Sequence, residues 1–98
     1  MTGRQVNTAE AVRIGLALRS VPPDELLAEA VKLVRQITAN APVAVRLSKE
    51  VINRGVNTDL DSAQQMEADA FAICFSTEDQ VEGMKAFLEK RKPTYRGQ

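Results

Sequence analysis

Apolar positions recur along this chain with a helical period, and capping and turn residues cut them into five stretches. In "TAEAVRIG" an Asn7 or Thr8 oxygen can accept from free backbone N–H groups, and Gly15 suits the left-handed position that closes a helix. "LALRSV" is short and alternating, which predicts a strand or an extended link. Pro22 and Pro23 stop and restart the chain. With Asp24 and Glu25 in the first turn, they predict a second helix ending near Ala39. Leu26, Leu27, Ala30, Val31, Val34 and Ile37 form its apolar stripe.

Pro42 opens a third helix, with Val43, Leu47 and Val51 on one face and Asn53 and Gly55 at its end. Thr58 or Asp59 caps a fourth, along which Leu60, Ala63, Glu67, Ala70, Phe71 and Cys74 fall in one stripe as far as Phe75 and Ser76. Thr77 starts a fifth, with Glu78 and Asp79 in its first turn, Val81, Met84 and Leu88 in an apolar line, and Pro93 beyond its end. Gly83 is out of place in a helix interior, where glycine costs about 1 kcal/mol relative to alanine. Its position points to close approach of another backbone. The fold class that follows is mostly α, with about five helices and almost no strand.

Ninety-eight residues suffice for one domain, 1–98, with little stability to spare. Thirteen basic and thirteen acidic residues cancel, so the overall charge gives no reason to expect nucleic acid. The balance is uneven: between Lys85 and Arg96 five basic residues meet one acid, Glu89. No apolar run approaches the roughly 18 residues of a membrane span, and the start lacks the hydrophobic segment of a signal peptide. The one cysteine, Cys74, has no internal partner and reads as a small core side chain in a reducing compartment, so the expected location is cytoplasmic.

Candidate chemistry is sparse. Histidine is absent, which removes Ser-His-Asp, Cys-His and most zinc arrangements, and the five glycines are too far apart for a phosphate loop. Glu67 is alone in an apolar stripe. It either sits at the stripe's edge or beside an arginine, the commoner outcome, or is desolvated with a raised pKa. No pair of acids can be nominated for acid–base work, so no catalytic residue and no metal ligand is assigned. Tyr95, beyond the last helix, either stacks on something planar or lies unordered, as chain ends usually do. Phe87 and Lys90 are three apart and so project from the same side of the fifth helix. A ring beside an ammonium can hold a flat base and a phosphate together. The alternative is that Phe87 is core and that Lys90, Arg91 and Lys92 answer the helix dipole, at about 0.3 to 1 kcal/mol each.

Three strings carry a resemblance over nearly the whole chain. "MTGRQVNTAEAVRIGLALRSVPPDELLAEA", "NAPVAVRLSKEVINRG" and "TEDQVEGMKAFLEKRKP" stand in the order and spacing of similar strings in the enoyl-CoA hydratase/isomerase, or crotonase, superfamily. The chain resembles the C-terminal part of that family. It departs at "GLALRSV", where Leu18 replaces a residue that is more often polar.

The resemblance implies a C-terminal helical, trimerisation region without the family's β/α spiral core. The thioester-binding amides and paired glutamates of the family would then lie upstream of residue 1. It implies that Phe87 and Lys90 match the family's coenzyme A contacts, Lys90 near phosphate and Phe87 near the nucleotide or pantetheine. No cofactor is implied; a coenzyme A thioester is the substrate. The parent reaction would be hydration of a trans-2-enoyl-CoA or a shift of its double bond. The expected partners are copies of the chain in a homo-oligomer, and acyl-CoA or a full-length crotonase, with no nucleic acid and no membrane. A non-catalytic helical interaction module and a stand-alone acyl-CoA binder are the other readings.

Overall fold

The structure, a computed structural model, describes residues 3–98. Five helices follow one another: α1 Thr8–Arg13, α2 Leu26–Thr38, α3 Pro42–Gly55, α4 Leu60–Phe75 and α5 Glu78–Leu88. No strand occurs among the described residues. The chain divides into two compact units, one ending at Leu33 and the other running Val34–Gln98.

In the first unit the Asn7 side chain accepts from the Glu10 N–H at 2.9 Å, which starts α1. Gly15, at φ +76°, ends it. The Gly15 N–H donates to the Val12 carbonyl at 3.2 Å and the Leu16 N–H to the Ala11 carbonyl at 2.9 Å, the paired bonds of a Schellman motif. "LALRSV" is not a strand but a link: residues 16–18 bend, and 19–21 have no regular secondary structure. The second helix starts at Leu26, four residues later than Pro22. Pro22 is itself followed by a proline, which disfavours helical backbone there. Residues 22–26 form turns instead: the Glu25 N–H donates to the Pro22 carbonyl at 3.0 Å and the Leu26 N–H to the Pro23 carbonyl at 3.4 Å. Glu29 meets Arg19 at 3.0 Å and Lys32 at 3.4 Å across the start of α2.

The second unit is built on α4, which packs against both α3 and α5. Side chains at the α3–α4 turn come close: a Cβ added to Gly55 would stand 3.5 Å from the Ala63 Cβ. Leu47 and Val51 of α3 face Ala70 and Cys74 of α4, and all four are half-buried. Little lies deeper. Among the described residues only Ala86, at 1% exposure, and Asp79, at 3%, are fully buried. Leu60 and Phe71, in the stripe the sequence assigns to the core, are 71% and 64% exposed. Phe71 and Phe75 instead pack on each other, ring centres 4.7 Å apart.

The chain end is ordered, contrary to the expectation for Tyr95. Past α5 the chain reverses and runs back along that helix. The Arg91 guanidinium donates twice to the Glu82 carboxylate, at 2.6 and 2.8 Å. The Thr94 N–H reaches the same carboxylate at 2.8 Å. Tyr95 lies over Gly83, and the buried Asp79 carboxylate accepts from the Arg96 and Gly97 N–H groups, each at 2.7 Å. Gly83 is therefore explained by close approach of a side chain, not of a backbone as its sequence context suggests. The strap ends against the start of α3, where a Cβ on Gly97 would stand 3.4 Å from the Pro42 Cβ.

Candidate functional site

The turn that closes α5 gathers the residues singled out in the basic tail. Phe87 occupies the last helical turn and is 79% exposed, so it is not core. Lys90 is not on the helix. α5 stops at Leu88, Glu89 is its C-cap, and Lys90 has φ +54°, the only described non-glycine residue in left-handed backbone. The helical spacing that set Lys90 beside Phe87 therefore does not govern their geometry. The Lys90 N–H donates to the Phe87 carbonyl at 3.3 Å and the Arg91 N–H to the Ala86 carbonyl at 3.0 Å. These are the same two bonds that close α1 around Gly15, here with a lysine in the glycine's place.

Arg91 is held by carboxylates of its own chain. Besides its two bonds to Glu82, its Nε donates to Glu89 at 2.6 Å. The Arg91 guanidinium and then the Thr94 N–H hold the Glu82 carboxyl down, to about 2 from an ordinary 4.5. Glu82 and Glu89 in turn raise Arg91. The charge of Arg91 is thus matched within the chain. Lys90 is exposed and makes no ion pair among the described residues.

The remaining acids form no reactive pair. Glu67 is exposed and is in no ion pair among the described residues. Glu50 of α3 and Asp69 of α4 line a cleft of about 290 Å³ between these helices, but each has a neighbour on its own helix. Arg54 meets Glu50 at 2.8 Å, and Gln65 donates to Asp69 at 2.9 Å. The Asp59 carboxyl, lowered chiefly by the Ser62 backbone N–H, is a helix cap. No cluster of His, Cys, Asp or Glu that could hold a metal occurs among the described residues. Among the described residues no helix is long and apolar enough to cross a membrane.

Sequence reasoning missed Asp79, Glu82 and Arg91 as the residues that order this surface. Glu82 and Arg91 are nine apart, and Asp79 binds amides 17 and 18 residues later. Neither spacing corresponds to a helical or strand neighbour. The one available signal is an acid just inside a helix followed by a basic segment long enough to fold back.

The profile of the enoyl-CoA hydratase/isomerase family matches residues 1–98. The chain is 51% identical to the crotonyl-CoA hydratase of Syntrophomonas wolfei over 96% of its own length and 36% of that protein's. It is 50% identical to the short-chain-enoyl-CoA hydratase of Clostridium acetobutylicum, over 93% of this chain and 35% of that one. The crystal structure of an enoyl-CoA hydratase from Bacillus anthracis superposes with a TM-score of 0.94 at 41% identity, covering 99% of this chain and 38% of that one.

These matches correct the placement of the five helices in a C-terminal helical, trimerisation region lacking the β/α core. The profile match begins at the chain's own first residue, and the chain spans little more than a third of its relatives' length. What is supported is a mostly helical portion of the family fold, without strands among the described residues. The physical reason is general. Helices that cover a sheet and helices that pair subunits share one amphipathic period, so the pattern does not tell where in a longer chain a helix belongs.

Proposed function

The chain belongs to the enoyl-CoA hydratase/isomerase family, and on that premise we propose that it supplies one wall of a coenzyme A-binding surface and an oligomerisation surface. The protein's reaction is hydration or isomerisation of an enoyl-CoA, in the cytoplasm. The observation that carries the binding reading is the turn after α5. There Lys90 is exposed and outside every ion pair described, Arg91 next to it is taken up by two carboxylates, and Phe87 presents a ring 79% open to solvent. An ammonium suits a phosphate oxygen, and an exposed ring suits an adenine or the pantetheine arm. The relatives named as crotonyl-CoA and short-chain-enoyl-CoA hydratases support the choice of a coenzyme A thioester.

The chain itself is assigned no catalytic residue: of the two acids that line the cleft of about 290 Å³, Glu50 is paired with Arg54 and Asp69 accepts from Gln65. Oligomerisation rests on the apolar surface left open: Leu27, Leu60 and Leu88 are each more than 70% exposed. Faces of that kind drive association.

Calorimetric titration of the 98-residue chain with coenzyme A tests the reading. Binding is expected, with Lys90→Met and Phe87→Ala each weakening it about tenfold, the scale of one charge-assisted contact or one stacked ring. No heat at millimolar ligand, or binding indifferent to both changes, would refute it.

A further inference from the structure

Two turns in this chain have the same pair of closing hydrogen bonds. At the first, the left-handed position is Gly15; at the second it is Lys90, at φ +54°. A residue with a Cβ pays about 1 to 2 kcal/mol in that backbone region, where glycine pays almost nothing. Such an outlier persists only where its surroundings over-determine it. The surroundings here are specific. Immediately after Lys90, the Arg91 side chain is fixed to Glu82 by two bonds and to Glu89 by a third. Glu82 also holds the Thr94 N–H, and Asp79 holds the next two amides after Tyr95. The strap thus fixes the backbone on the C-terminal side of Lys90, while α5 fixes it on the other.

We propose that the Glu82–Arg91–Glu89 cluster is a positioning device that holds Lys90 in left-handed backbone, so that Lys90, and not Arg91, offers its charge to a phosphate. The inference rests on the coenzyme A reading for the identity of the phosphate, but not for the backbone geometry. Arg91 touches no ligand in this scheme; it acts through its neighbour. The arrangement also explains why a strained lysine stands where glycine would be easier: glycine has no ammonium to present. A guanidinium is suited to the clamp because its fork matches a carboxylate in two parallel bonds, which a lysine cannot do.

The test uses the 98-residue chain and three variants, Arg91→Met, Lys90→Gly and the double variant. The one-bond Cα–Hα coupling of residue 90, read by NMR, reports the sign of its φ. Wild type is expected to show the left-handed value and Arg91→Met to lose it. In the Lys90→Gly background, where left-handed backbone carries no strain, Arg91→Met is expected to leave the turn in place. Titration with coenzyme A is expected to be about tenfold weaker in Arg91→Met, matching release of one strained residue. A left-handed Lys90 that survives Arg91→Met overturns the inference, whatever binds. So does unchanged coenzyme A affinity in Arg91→Met when wild type binds. If wild type binds no coenzyme A, the proposed function falls, while the clamp is still decided by the coupling.

Discussion

The Tyr95 hydroxyl lies over the bare face of Gly83, 3.2 Å from where a Cβ on that glycine would stand. This single approach joins a residue of the tail to the middle of α5 and accounts for a glycine that weakens its helix. Gly83→Ala is expected to gain up to about 1 kcal/mol of helix propensity and to lose a similar amount by pushing the ring away. Its thermal midpoint should therefore stay close to wild type. Gly83→Ala combined with Tyr95→Phe, which removes the closest atom, should be more stable than either parent. A midpoint for the pair below that of Gly83→Ala would show that Tyr95 is not the obstacle.

Asp79 is the one buried carboxylate among the described residues, and its two oxygens serve the Arg96 and Gly97 amides. Asp79→Asn keeps the shape but turns one acceptor into a donor facing an N–H. Hydrogen bonds to a charged group are worth about 1.5 to 3 kcal/mol, so the tail should detach well before α5 unfolds. Hydrogen exchange at Arg96 and Gly97 should speed up by at least about tenfold in the variant, with α3 and α4 amides unaffected. Equal protection in the two proteins would remove Asp79 from the strap.

The strap has a defined pH dependence. The Glu82 carboxyl sits at about 2 when folded against 4.5 in its ordinary state, because it accepts from Arg91 and from the Thr94 N–H. A depressed carboxylate adds stability that is present in full above 4.5 and is lost as pH falls towards about 2. The tail should thus loosen on acidification through that window, seen as a change in Tyr95 fluorescence. Glu82→Gln should look loosened at neutral pH and show a smaller acid transition. Because Glu82 is partly open to water, added salt should weaken the wild-type strap as well. An acid transition of equal size in Glu82→Gln would place its origin in another group.

Association is expected from the open apolar faces. Light scattering should give a mass that is a multiple of the chain's and rises with concentration. Replacing Leu60 and Phe71, both exposed on α4, by serine should lower that mass. A monomer across the accessible concentration range would count against the oligomerisation proposal.

The local features of this protein were legible in its sequence because their causes are local. Asn7, Asp59 and Thr77 each cap a helix by accepting from an N–H three residues on, Pro42 opens α3, and Gly15 closes α1. Each depends on residues within one turn. Leu47, Val51, Ala70 and Cys74 line the α3–α4 contact as the helical period implies. The start of α2 was misplaced because two successive prolines fit a turn as well as a first helical turn.

Only the tertiary structure decided which face of α4 stays open, that the chain end folds back, and that Lys90 leaves the helix. The Asp79 bonds are to backbone amides, which every residue but proline carries, so no side-chain pattern at positions 96 and 97 announces them. Amphipathic period specifies that a helix has a partner. It does not specify which partner, and here that choice set the exposed lysine, the neutralised arginine and the surface between them.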